Sequence, residues 1–173
     1  MQVTKAGEYG VLGLLHLARR PMGSVVMIED ISRDENIPRS FLGKIFQNLV
    51  KAGLIRSSRG AGGGFVLASP PESITILAVI EAIEGKIALQ RCLEEVPNCD
   101  QAPGCALCHL FEQAQDKVKE VFAKTTLADL LKSQNVLGIT QLGYRGPHQA
   151  RCPYQAQLHL HFHFRNRNLV SHI

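Results

Sequence analysis

No apolar run in this 173-residue chain approaches the roughly 20 residues that a helix needs to cross a bilayer, which excludes a conventional membrane-spanning helix. The first ten residues, Met1 to Gly10, lack the basic-then-apolar layout and small-residue cleavage site of a secretory signal, so the expected location is the cytoplasm, with no membrane partner. No Gly-Lys-Ser/Thr follows the one glycine-rich stretch, and that stretch does not open a helix, which argues against a nucleotide-phosphate loop. No Ser/His/Asp or Cys/His arrangement has a catalytic context, so an enzyme is not expected. Acidic residues stop at Asp129.

What is present is unevenly spread. Residues 1–70 hold 9 Lys/Arg against 5 Asp/Glu, residues 71–134 hold 6 against 10, and residues 135–173 hold 4 against none. A basic first block suits a polyanion, and an acidic middle block does not. The length suits one ordinary domain or two small ones.

Helical spacing dominates the first block. Val11, Leu14, Leu15 and Ala18 predict a helix from about Thr4 to Arg20, stopped by Pro21-Met-Gly23. Glu8, on another face, is by itself an ordinary carboxylate in a first helical turn. Ile28 and Ile31 anchor a short second helix over about 28–35, and Asn36-Ile37-Pro38 turns into a third over about 39–52. There Leu42, Ile45, Phe46 and Leu49 form the buried stripe, while Ser40, Lys44, Gln47 and Lys51 share the opposite face. Two helices joined by a tight turn, the second with a polar and basic outer face that begins at Arg39, have the form of a helix-turn-helix that inserts its second helix into the major groove. Ser40 and Gln47 could bond base edges, and Lys44 a base or a phosphate. Alone, this is also the pattern of any amphipathic helix pair.

The following residues favour nucleic acid. Leu54–Ser58 and Gly64–Ala68 predict two short strands around Arg59-Gly60-Ala-Gly-Gly-Gly64, a hairpin with arginine at its tip. Directly after a helix-turn-helix such a hairpin is a wing, able to lay Arg59 against the backbone or into a narrow minor groove. After Pro70-Pro71, Thr75 is the predicted N-cap of a helix carrying Leu77, Ile80 and Ile83 and ending at Gly85. A longer helix over about 107–124 places Phe111, Ala114, Val118 and Val121 on one seam, either packed within the chain or buried against a second copy. Thr126 to Asp129 predicts a capping box for a last helix to about Lys132. The tail beyond Gln134, with His159, His161 and His163 alternating, is expected to be disordered or an appendage.

Between those two helices, Cys92, Cys99, Cys105 and Cys108 fall within 17 residues interrupted by Pro97, Pro103 and Gly104. Clustered thiols on a turn-rich loop suit a soft metal centre; two disulfides or scattered buried thiols are the plainer alternatives, less suited to a cytosolic chain.

Taken together these residues resemble the IscR/NsrR family (the Rrf-two type) of winged-helix transcription regulators. The likeness runs from about Met1 to Lys132. It rests on Val3-Thr4-Lys5 with Tyr9, on Ile37 with Phe41-Leu42, on Leu49 with Ala52-Gly53-Leu54-Ile55, on Arg59-Gly60 with Gly63-Gly64-Phe65, on Ile74 to Gly85, and on the cysteine loop. The resemblance implies a homodimer on a palindromic double-stranded operator. It also implies an iron–sulfur cluster, 4Fe-4S or 2Fe-2S, on Cys92, Cys99 and Cys105, with homologues differing in the fourth ligand. Where some members place a histidine this chain has Cys108, with His109 beside it; others use a carboxylate of the opposite subunit, here Glu8. Cys108 is the softer donor and the expected ligand, with Glu8 the alternative. Structural zinc on the same cysteines is the rival to a cluster.

The expected architecture is therefore mainly α with a small β wing. A winged helix-turn-helix spans 1–70, a cysteine loop with dimerisation helices spans 71–134, and a tail spans 135–173. Arg39, Ser40, Lys44, Gln47, Lys51, Arg59 and Gly60 are the expected DNA contacts.

Overall fold

A computed structural model describes residues 4–60, 62–95, 99 and 104–136. Helix α1 (Lys5–Ala18) is the element the others pack around. Thr4 caps it, its Oγ1 accepting from the Ala6 amide at 3.1 Å. The expected stripe is present, with Leu14 and Leu15 buried and Val11 and Ala18 half-buried. Burial nevertheless extends around much of the helix, to Gly7, Gly10, Gly13, His16 and Leu17. A Cβ at Gly13 would stand 2.7 Å from the Phe46 ring, and one at Gly10 would collide with Ile83. The missing side chains are what let two neighbouring helices close onto α1.

After α1 come α2 (Ile28–Asp34) and α3 (Arg39–Lys51), which pack on each other. The turn between them takes Asn36 into left-handed backbone at φ 52°, buries Ile37, and is tied by Ser32 Oγ donating to the Ile37 carbonyl at 2.7 Å. Leu42, Ile45, Phe46 and Leu49 are all buried, as their spacing requires. The wing is an antiparallel pair, β1 (Ile55–Ser58) and β2 (Gly64–Leu67), with Ile55 opposite Leu67 and Ser58 opposite Gly64. Val26 and Phe65 exchange two backbone hydrogen bonds of 2.9 Å, adding a third short edge. The Phe65 ring meets Phe46 edge-on, centroids 4.9 Å apart, and so fixes the wing to α3.

Helix α4 (Ile76–Glu84), capped by Thr75 and ended by Gly85 at φ 82°, packs on α1 and α3. It buries Ile76, Val79 and Ile80, while Leu77 and Ile83 are half-covered. Helix α5 (Ala106–Lys124) follows the cysteine segment, and α6 (Leu127–Val136) packs against α1. The Ile76 amide donates to the Thr125 carbonyl at 2.9 Å and the Leu127 amide to the Ile74 carbonyl at 3.0 Å, so the starts of α4 and α6 are joined. The expected capping box is formed: Thr126 Oγ1 accepts from the Asp129 amide, and the Asp129 carboxylate accepts from Thr126. That bonding holds the Asp129 carboxyl below its ordinary pKa.

Two expectations change. The last helix runs past Lys132 to Val136, because nothing in Ser133-Gln134-Asn135 breaks it and Gln134 is held by Arg19. The seam of α5 is only partly covered within the chain: Phe111, Val118 and Phe122 are half-buried, whereas Leu107, Leu110 and Val121 are exposed by 62%, 58% and 60%. The one buried residue of α5 is Gln115, whose Oε1 accepts from the Leu89 amide at 3.0 Å and pins the chain leading to Cys92. The tail with its histidines lies outside the described residues.

Candidate nucleic-acid interface and metal centre

The buried stripe of α3 determines what its other side presents. Ser40, Lys44, Gln47 and Lys51 are all exposed and succeed one another by three or four residues, forming one polar row. Among the described residues none of the four has a side-chain hydrogen bond or ion pair, so their donors are free for a ligand. Arg39 is exposed as expected, but its Nη2 lies 2.7 Å from Glu29 Oε1 on α2, so its charge is already countered. Arg59 and Gly60 are exposed at the wing tip, where Gly60 at φ 107° and Gly62 at φ 83° need glycine.

Among the exposed residues on these elements that were not anticipated are an arginine and a phenylalanine. Arg56 sits on β1, its Nη2 3.4 Å from the Ala68 carbonyl. Phe41 is 59% exposed in the first turn of α3. It lies outside the Leu42–Ile45–Phe46–Leu49 spacing, and that omission was the available signal.

A second polar cluster links the helix-turn-helix to α6. Glu35 is 3% exposed at the end of α2. Its Oε1 accepts from Arg19 Nη1 at 2.8 Å and lies 3.0 Å from His16 Nδ1. Arg19 Nη2 also donates to Gln134 Oε1 at 3.1 Å. His16 Nε2 has no hydrogen-bond partner among the described residues and lies 3.9 Å from Asp34 Oδ2. No periodicity marks this group, because its members are far apart in sequence.

The cysteines are brought together only in part. Cys92 lies in a 3-10 turn (Arg91–Leu93), Cys105 is the N-cap residue of α5, and Cys108 is in the first turn of that helix. A hydrogen bond with Cys92, followed by desolvation and the charges of Cys92, Cys105 and Glu112, pushes the Cys108 thiol up to about 11. Cys99 is exposed. Glu8 is held by Lys5 Nζ at 2.7 Å, and the turn that carries it is tied to the end of α4, where Glu84 Oε1 accepts from Thr4 Oγ1 at 2.6 Å and from the Gly7 amide at 3.1 Å. His109 Nε2 accepts a hydrogen bond from Gln113 Nε2 at 2.9 Å.

Among the described residues no three Cys, His or carboxylate groups stand close enough to hold a metal ion, so the full expected set of Cys92, Cys99, Cys105, Cys108 and Glu8 is not assembled. The donor chemistry nevertheless fits a soft cation. Neighbouring thiols repel one another once ionised, and a cation bound by them removes that repulsion. The amino end of α5 adds favourable potential for anionic sulfur.

Comparison with known proteins bears on the fold and on the class of protein. A family described as "Iron-dependent Transcriptional regulator" (Rrf2) matches residues 3–133. An HTH-type transcriptional regulator of Haemophilus influenzae, so assigned by type only, is 34% identical over 136 residues, covering 79% of this chain and 90% of that protein. The HTH-type transcriptional regulator IscR of Yersinia enterocolitica is 30% identical over 139 residues, covering 80% and 84%. The structure of CymR, the global cysteine regulator of B. subtilis, superposes with a TM-score of 0.63 at 31% identity, covering 77% of this chain and 98% of that one.

Proposed function

The chain belongs to the Rrf2 family of iron-dependent transcriptional regulators, and from that premise we propose that it binds a palindromic DNA operator as a homodimer, with affinity set by an iron–sulfur cluster on Cys92, Cys99, Cys105 and Cys108. Family membership carries the regulator and its DNA. The juxtaposition of Cys92 and Cys108 across the root of α5 is the observation that carries the cluster. A fold shared with a cysteine regulator does not by itself select an effector; these thiols are what favour a cluster.

Each part of the chain then has a task. Ser40, Lys44 and Gln47 meet base edges and phosphates in the major groove, Lys51 meets phosphate, and Arg59 with Gly60 follows the backbone from the wing. Arg39, paired with Glu29, sets the pose of α3 on α2 and adds little charge. The exposed Leu107, Leu110 and Val121 of α5 meet their counterparts on a second copy, which spaces two α3 helices along one face of the duplex. Cys92 on its 3-10 turn and Cys105 and Cys108 on α5 tie the incoming chain to the dimer helix when they share a metal. A bound cluster would supply a crosslink sensitive to nitric oxide, oxygen and iron supply. A bias of about 1–3 kcal/mol between two poses of α5 changes operator occupancy 5- to 150-fold.

Cys108 is favoured as fourth ligand over Glu8, because it neighbours Cys92 within the same chain while Glu8 is occupied by Lys5. The cytoplasm is the corresponding location; among the described residues no helix is long and apolar enough to cross a membrane.

Anaerobic purification with iron and sulfide counts, visible absorbance and binding to a duplex enriched from a random pool tests this reading. Iron and inorganic sulfide in stoichiometric amount, lost together with a change in DNA affinity on adding nitric oxide, are expected. Zinc without sulfide would replace the cluster by a structural site.

A further inference from the structure

Six of the seven large apolar side chains exposed on the described surface lie away from α3: Met22, Val25 and Met27 before or at the start of α2, and Leu107, Leu110 and Val121 on α5. The seventh, Phe41, stands at 59% exposure in the first turn of α3, beside Ser40 and one turn before Lys44. The other phenylalanine of this helix, Phe46, is fully buried, and Phe41 is absent from the residues that pack against the core. An aromatic ring left in water on a row of polar and basic residues forgoes the gain of burial, so the apolar contact that would suit it is one made on binding.

A phenyl ring has neither donor nor acceptor. Among the groups exposed on base edges in the major groove, the 5-methyl of thymine is the apolar one. We propose that Phe41 is a specificity-determining residue that packs on a thymine 5-methyl group in each half of the operator. This rests on the reading of α3 as the groove-entering helix. The same ring would accept 5-methylcytosine at that position and reject unmethylated cytosine and uracil by loss of contact alone.

The test uses the full chain, purified anaerobically, and a duplex it enriches from a random pool. Each thymine of the duplex is replaced in turn by deoxyuridine, which removes the methyl and leaves every hydrogen bond intact. One thymine per half-site is expected to lose about fourfold in affinity on replacement, the worth of one buried methyl. Phe41→Ala, at an exposed position, is expected to unfold at the wild-type midpoint, bind the thymine duplex about as weakly as the wild type binds a duplex with uracil at that position in both half-sites, and show no further loss with uracil. Phe41→Leu keeps apolar contact and restores part of the discrimination. Equal affinity of the wild type for all uracil duplexes, or an undiminished methyl effect in Phe41→Ala, overturns the proposal while leaving DNA binding intact. Failure to enrich any duplex overturns the reading of α3 itself.

Discussion

From α1 to β2 every element carries a side chain that is no more than 4% exposed: Leu14, Ile31, Phe46, Ile55 and Leu67. From Gly85 to Cys105 the one such residue among those described is Ile87, and the chain is held instead by the Gln115 side chain, by a Lys86–Glu95 ion pair and by thiols facing one another. The first region draws its stability from apolar burial within one chain. The second has groups that gain little from each other in water and much from a cation or from a second chain. Stability is thereby concentrated in the first stretch, and the second can reorganise without unfolding it.

A graded series of substitutions tests this contrast. Phe46→Ala removes the ring that fills the space above Gly13 and meets Phe65; it should lower the unfolding free energy by about 3–5 kcal/mol in urea titration. Glu35→Ala strips Arg19 and His16 of their common acceptor, and a loss of about 1–3 kcal/mol is expected in the same assay. For Thr126→Ala, which opens the capping box of α6, thermal unfolding should register a loss of about 1 kcal/mol. Cys92→Ser should change the metal-free protein by less than about 0.5 kcal/mol while abolishing stoichiometric iron uptake. A large stability loss at Cys92 without metal would place the cysteine segment in the same structural class as the core and end the comparison.

The Cys108 thiol adds a pH signature to the series. Because folding raises its pKa from 9.0 to about 11, the metal-free folded chain holds that proton more tightly than the unfolded chain. The associated stability is present below pH 9 and is lost as pH rises toward 11. Its alkylation rate should keep climbing through that interval, and Cys108→Ser should flatten the alkaline limb of stability.

Legibility in the sequence follows the same division. The α3 stripe, the wing, Thr75 and the Thr126–Asp129 box were readable because each is a local pattern, and the structure reproduces them. The two-sided burial of α1 was not, since Gly7, Gly10 and Gly13 contribute space and not hydrophobicity. Neither was the His16–Glu35–Arg19–Gln134 group, whose partners are set by tertiary packing. For the cysteines the residue type and spacing were plain in one dimension. Which thiols meet depends on how α5 begins, and that is seen only once Cys105 is its cap and Cys108 turns toward Cys92.

The pair of backbone hydrogen bonds that joins residues 74–76 to residues 125–127 has a consequence for how such a chain can change over generations. Everything between Ile76 and Thr125 departs from and returns to one fixed doorway, and α6 stays docked through Arg19 and Gln134 whatever passes through it. Lengthening the stretch between Gly85 and Cys105 then costs little more than loop entropy, about 0.6 kcal/mol for each doubling. New spacings between thiols, or their replacement by other groups, can be sampled there without shifting α3 or the wing.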